Sequence, residues 1–434
     1  MSCCNNYEIF KDQKTPINEP LRGIYKKSFG YISLYRRMPD LFAQVIKYLE
    51  KQKEKQNMQN AIDDMKILLN EIINNKPLRK IDGTFNLAIL WNQILDEKLK
   101  VESSVTWFES EWLFTENYMY IRINEVFEKT STLKNFDPFE SLKLNAFKES
   151  KSSMIALGEF ISSKLANLNI QNYEIKALFE QILKISLWGN RCDLSLSAGK
   201  STTISEDPSK AIKLLDKYLI TNKSDEIWEI LQKTENKTKQ IDIILDNSAY
   251  ELFTDLCFAD FLLTFNLADT IVFHGKAIPW YVSDVTKPDF ETTLYYLENK
   301  CSSSILNNLG RKWAHYYKNE KFIFKCEDFW TLPFPYSYMT LKDSNLYQLL
   351  SYSQLLIFKG DLNYRKLIGD INWVPTTNFK EALCEFLPTA VVALRTMKCD
   401  CISGLPLDYE KKILEEDKHN WLITGNYGTI QLAF

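Results

Sequence analysis

The chain reads as an α/β protein: an N-terminal helical domain followed by a mostly parallel, Rossmann-like α/β/α sandwich. Three observations predict this. Up to about residue 235, apolar residues recur at helical spacing. Beyond residue 240 the period changes to short, continuous apolar runs separated by helical patterns, the signature of strands covered on both faces. The 434 residues, 45% of them hydrophobic, are enough for a large core and one to three domains. The expected division is residues 1–200 for the helical domain and 201–434 for the sandwich.

The first helix is expected at LFAQVIKYL (41–49), where Leu41, Phe42, Val45, Ile46 and Leu49 make one stripe. Similar runs follow at 60–74, 84–97, 105–127 and 138–165. KALFEQILKISLW (176–188) repeats the stripe with Leu178, Ile182 and Ile185. SAGKSTTISEDPSK (197–210) breaks the series as a loop leading into a Pro-initiated helix. Strands are then expected at IDIIL (241–245), DTIVFHG (269–275), KFIFK (321–325), SQLLIFKG (353–360) and AVVALRTMK (390–398). Helical patterns at 248–265, 287–307, 343–352 and 379–387 separate them. The aromatics of WFESEWLFTENYMY (107–120) are read as core.

Composition excludes several classes. Net charge is −3, with no basic footprint for nucleic acid or an anionic membrane. The first residues lack the apolar core of a signal peptide, and the most apolar long window, 256–273, is interrupted by Asp260 and Asp269. Nine cysteines without a paired framework suit a reducing compartment, cytoplasmic or nuclear. Cys399 and Cys401 read as buried thiols, and His274 as a core histidine. His274, His315 and His419 are the only histidines and have no neighbours at zinc spacing. Glycine numbers only 13, and neither a Walker loop nor GxGxxG occurs. A DxD phosphoaspartate motif is also absent, because Ser248 follows Asp246 at the second position.

In open α/β sheets ligands lie beyond the carboxyl ends of the strands, so a site is expected at those ends. The 241–245 run ends in Asp246-Asn247, followed by Ser248-x-x-Glu251, a capping-box pattern opening a helix. Asp246 and Asn247 offer hard oxygens suited to Mg²⁺ or Mn²⁺, and Asp284 after the next strand offers a third. FKGDLNYRK brings Lys359, Asp361, Asn363, Arg365 and Lys366, and the last long strand runs into Arg395 and Lys398. Together these make a metal-plus-phosphate pattern. Taken singly, the same residues read as turns, caps and strand-end surface charges.

Several segments together resemble the damage-control phosphatases, in the subfamily marked by an RTxK motif and also called the acidic-residue methyltransferase family. They are WGNRCDLSLS (188–197), LDNSAYELFTDL (245–256), KGDLNYRKL (359–367), RTMK (395–398) and GNYGTIQLAF (425–434). SFGYISLYRRMPDLF (28–42) and WLFTENYMYIRI (112–123) are similar to its helical segments, so the likeness spans nearly the whole chain. It implies a phosphatase of sugar phosphates such as fructose 1-phosphate and fructose 6-phosphate, supported by Mn²⁺, Co²⁺ or Ni²⁺. It implies metal ligands at Asp246, Asn247 and Asp284. Substrate contacts would come from the same three residues, from Asp361, Leu362, Asn363, Tyr364 and Arg365, and from Lys398. Glu116, Asn190, Asp193 and Arg395 resemble supporting positions. The family's second assigned chemistry is S-adenosylmethionine-dependent methyl transfer to protein carboxylates. A glycine-rich strand–helix turn would favour it, and the Asn-Ser-Ala turn here has none. A third reading, a non-catalytic interaction module, predicts that the strand-end acids are dispensable.

Overall fold

A computed structural model describes residues 9–52, 58–130, 132–166, 170–197, 208–233, 239–414 and 420–434, with only the backbone described at 190–197 and 209. Its centre is one seven-stranded sheet. The strands are β1 (Leu219–Asn222), β2 (Gln240–Ile244), β3 (Thr270–His274), β4 (Phe322–Lys325), β5 (Leu355–Lys359), β6 (Ala390–Thr396) and β7 (Gly428–Ala433). They lie in the order β1-β7-β6-β5-β2-β3-β4. Every neighbouring pair is parallel except β6–β7, so β2 to β6 share one direction while β7 and β1 run against it. The chain thus adopts the α/β class its periodicity predicts.

Alternating side chains of each strand enter two different cores, as the period of two requires. Leu355 and Ile357 of β5 join a cluster with the helices Lys151–Leu165, Asn172–Ser197 and Tyr250–Thr264. Leu356 and Phe358 face the other way, into a cluster with the helices Met38–Glu50, Met58–Ile73, Asn86–Val101 and Trp112–Glu128. Burial on both faces explains the continuous apolar strands. It also explains helices without a polar stripe: every residue from Trp112 to Phe127, and from Tyr250 to Leu262, is buried.

Several expected helices are cut by local chemistry. The 105–127 run becomes helical only at Trp112, whose N–H is taken by Leu21 O at 2.7 Å. The 138–165 run divides at Ser150. The 287–307 run divides into Lys287–Asn299 and Ser304–Lys318, where Ser303 caps the second piece by accepting from Leu306 N. The 379–387 run shrinks to Phe379–Ala382, because Cys384 and Glu385 turn left-handed at φ 48° and 70°. Helix Pro208–Leu215 does start on its proline, while residues 198–207 of the expected loop lie outside the described residues. β1 and β7 were not expected; β1 is a four-residue edge strand, and β7 runs antiparallel to its neighbour β6.

Candidate active site

β2 is the topological switch point. The chain adds β3 and β4 on one side of it and then places β5 on the other, opening a crevice at the carboxyl ends of β2, β3 and β5. Asp246 and Asn247 follow β2, Asp284 lies in the loop after β3, Asp361 opens the helix Gly360–Leu367 after β5, and Lys398 follows β6. The Asp284 loop is sewn to the β2 end. Val285 N donates to Asp246 O at 2.9 Å, Ser248 N donates to Ser283 O at 2.7 Å, and Asn247 and Asp284 form an isolated antiparallel bridge.

The acids are crowded and buried. Asn247 Nδ2 donates to Asp246 Oδ2 at 2.7 Å and to Glu251 Oε2 at 2.8 Å, while Asn247 Oδ1 accepts from Ser283 Oγ. Burial, then the charges of Glu251 and Asp284, push the Asp246 carboxyl well above the ordinary aspartate range. Burial likewise lifts Asp284 to about 6, against the pull of Lys276. Lys276 Nζ pairs with Asp284 Oδ2 at 3.2 Å and also gives a 3.0 Å hydrogen bond to Leu245 O.

Two buried carboxyl groups with raised pKa, held side by side, fit a cation. Asp246, Asn247 and Asp284 supply two carboxylates and one amide, the hard oxygen set of a divalent metal. Among the described residues no three acid, histidine or cysteine side chains converge into a ready-made cage.

Of the basic groups, most are already engaged. Arg365 binds Asp370 through Nε (2.7 Å) and Nη2 (3.0 Å), pairs with Glu116 at 2.5 Å, and lies 3.5 Å over the Trp112 ring. Lys359 is buried against Asp255 at 2.6 Å and Glu251 at 3.3 Å. Lys366 is buried on the carbonyls of Trp330 and Leu332, and burial drives its pKa well below the ordinary lysine range. Arg395 holds Asp361 Oδ1 at 2.8 Å and the carbonyls of Cys401 and Cys399. Burial opposes the charge on Asp361, yet Arg395 and Arg365 hold its carboxyl below the usual range. Lys366 and Lys398 make no ion pair among the described residues, and the Lys398 ammonium also makes no hydrogen bond there; the Lys398 backbone N–H donates to Asp361 Oδ1 at 3.1 Å.

The rest of the GDLNYRK helix is framework. Asn363 Nδ2 donates to the carbonyls of Leu245 (3.1 Å) and Lys359 (2.8 Å), and its Oδ1 accepts from Tyr336 OH at 2.6 Å. Leu362 is buried, and Tyr364 is buried with its hydroxyl on Ser403. Glu116 accepts from Tyr281 OH at 2.9 Å, tying the Asp284 loop to the helix Trp112–Glu128. Asn190 and Asp193 lie in the helix Asn172–Ser197, but their side chains are outside the described residues.

One local reading is corrected. Ser248-x-x-Glu251 is not a capping box. The helix starts at Tyr250, and its N-cap is Ala249, at φ 58° and ψ −125°, with no side-chain cap. Ser248 Oγ has no hydrogen-bond partner, and Glu251 turns to Asn247 and Lys359. Glu251, Lys276, Ser283 and Gly360 are site residues the sequence reading passed over. Gly360 has φ 82°, and a Cβ there would meet Asp246 Oδ2 at 2.0 Å. The glycine just before Asp361, and the lysine just after the β3 end, were the available signals.

Residues 33–413 match the damage-control phosphatase ARMT1-like domain. The chain belongs to this family. It is 33% identical to the damage-control phosphatase ARMT1 of Danio rerio, over 96% of this chain and 97% of that one. It is 36% identical to the protein of that name from Rattus norvegicus, over 93% and 96%. The Homo sapiens protein is 34% identical over the same shares. A solved DUF89 family protein from Pyrococcus horikoshii matches 86% of this chain and 95% of its own at 16% identity, with a TM-score of 0.45. Damage-control phosphatases act in metabolite repair and in general depend on a divalent metal, so membership makes this chain a phosphatase by class. No helix among the described residues is long and apolar enough to cross a membrane.

Proposed function

We propose that this damage-control phosphatase hydrolyses sugar phosphates, fructose 1-phosphate and fructose 6-phosphate among them, with a divalent cation held by Asp246, Asn247 and Asp284. The observation that carries the reading is the pair of buried, raised carboxyls of Asp246 and Asp284, held together by the Asn247–Asp284 bridge at the switch-point crevice. Mn²⁺, Co²⁺ and Ni²⁺ are the proposed metals, with Mg²⁺ also admissible by ligand chemistry. When bound, the cation supplies Lewis acidity and neutralises phosphoryl charge.

The chain's own groups do the rest. Lys398, unpaired among the described residues, offers its ammonium to the phosphoryl oxygens. The first turn of the helix Gly360–Leu367 turns free N–H groups to the same crevice, and the positive φ of Gly360 lets that turn approach Asp246. Arg395 fixes Asp361, and Asp370 with Glu116 fixes Arg365, so the wall facing the sugar is rigid before substrate arrives. Water's oxygen forms the new bond to phosphorus, the ester P–O bond breaks, and the departing sugar oxygen takes a proton from solvent. Reduced cysteines fit a cytoplasmic or nuclear setting; Cys257, Cys301, Cys326, Cys384, Cys399 and Cys401 are all free.

Phosphate release from a sugar-phosphate panel, with each metal and with chelator, tests this. Metal-stimulated release that chelator abolishes and Asp246→Ala removes in folded protein is expected. Full activity in the presence of chelator sinks the metal reading, and activity confined to other phosphoesters sinks the sugar-phosphate one.

A further inference from the structure

A cavity of about 640 Å³ lies between the end of the helix Trp112–Glu128, the helix Glu140–Glu149 and the segment after β3. Ser248 and Ala249, the two residues after Asn247, contribute to its lining. Asp246, Asn247, Asp284, Asp361 and Lys398 do not. The cavity therefore backs onto the acid cluster without belonging to it.

Its chemistry differs from that of the crevice. Phe136, Phe147, Ile278 and Tyr296 give apolar and aromatic wall. The charged lining is Glu128, Asp137, Glu140 and Asp289 against a single cation, Lys143. Lys143 is already held by Asp137 at 2.6 Å and Asp289 at 2.5 Å. Glu128 and Glu140 make no ion pair among the described residues, so the lining carries a surplus of negative charge. Ser248 is 7% exposed, and its Oγ has no hydrogen-bond partner. A buried hydroxyl without a partner beside a cavity calls for a polar atom to meet it.

We propose that this cavity is a second ligand site, taking an amphipathic organic cation: an aromatic or branched apolar body that carries one ammonium group. Its volume is that of a small-molecule site. The body packs on Phe136, Phe147 and Tyr296, and the ammonium group is balanced by Glu128 and Glu140 at the mouth. The surplus acid turns anions away, so sugar phosphates are not its ligands. This assignment is independent of what the crevice hydrolyses.

Tryptamine and indole-3-propionate share a body and differ in the sign of their charge. Titrated calorimetrically into the full chain, tryptamine is expected to bind saturably at one site, about tenfold more tightly than indole-3-propionate. Leu144 is 39% exposed and also lines the cavity, so Leu144→Trp narrows it without entering the core. That variant is expected to weaken tryptamine about tenfold or more. The double change Glu128→Gln and Glu140→Gln is expected to erase the preference for the cation while both probes still bind. Equal affinity of the two probes for the wild-type chain overturns the assignment. So does tryptamine binding left intact by both variants, or no heat at millimolar tryptamine.

Discussion

At φ 82°, with the Asp246 carboxyl group packed where a side chain would begin, Gly360 meets two demands that only glycine satisfies together. Gly360→Ala must displace Asp246 or bend the start of the helix Gly360–Leu367. We expect a strain cost of about 1–3 kcal/mol and a fall in kcat/KM of about a hundredfold from the misplaced carboxylate. Steady-state kinetics beside thermal melts would check it, and unchanged kcat/KM would mean Asp246 is free to move without consequence. At this scale the sequence revealed which residue types gather at strand ends, but not which of them are free. Arg365, Lys359 and Lys366 look alike in FKGDLNYRK. Their partners, Asp370, Asp255 and the carbonyls of Trp330 and Leu332, are set by packing that no local pattern records.

Among the elements, the loop from Lys276 to Val285 is under tension. Tyr281 and Val282 are both left-handed, at φ 43° and 70°, a costly state for a β-branched residue. Stacking of Tyr281 on Tyr120, at 4.7 Å between ring centroids, and its hydrogen bond to Glu116 hold that shape and thereby aim Asp284. Tyr281→Phe keeps the ring and removes the bond to a charged acceptor, worth about 1.5–3 kcal/mol. The Mn²⁺ concentration for half-maximal activity is expected to rise by about tenfold, with kcat at saturating metal little changed. A metal titration of activity that superimposes on wild type would show that stacking alone suffices. Element identity was the most legible level of this chain, because five strands are continuous apolar runs. The failures were the missed strands β1 and β7 and several boundaries: Ser150 and Ser303 interrupt patterns that periodicity alone extends, and the Ser248–Glu251 pattern lost to a strained Ala249.

For the molecule as a whole, His274 couples the strands through charge. Its Nε2 meets Asp242 of β2 at 2.7 Å and its Nδ1 meets Glu327, beyond β4, at 3.0 Å. Burial disfavours its charged form, but the bonds to these two acids win and lift its pKa from 6.5 to about 9. Because the folded value lies above the unfolded one, the stabilisation is complete below pH about 6.5 and disappears as pH climbs through 9. Urea midpoints should therefore fall between those limits, by an amount equivalent to about 3 kcal/mol. His274→Gln should be less stable at pH 6 and nearly flat across the same interval. A wild-type profile without that slope would mean the histidine is neutral in the native state. The strand order that creates both this coupling and the crevice was not legible, since nothing local indicates that β5 returns beside β2.

The same order has a temporal side. β1 has one neighbour in the sheet, and that neighbour is β7; Leu219 pairs with Gly428. A nascent chain carries β1 out of the ribosome long before β7 has been translated. Until then β6 also lacks its outer partner, with Arg395, which anchors Asp361, opposite the missing Thr429. From the completion of β6 until β7 emerges, two strand edges stand bare together, the state in which a sheet protein most readily pairs with a stranger. Slow translation through residues 390–427 would prolong that exposure, so the yield of soluble protein should depend on elongation rate there more than anywhere upstream.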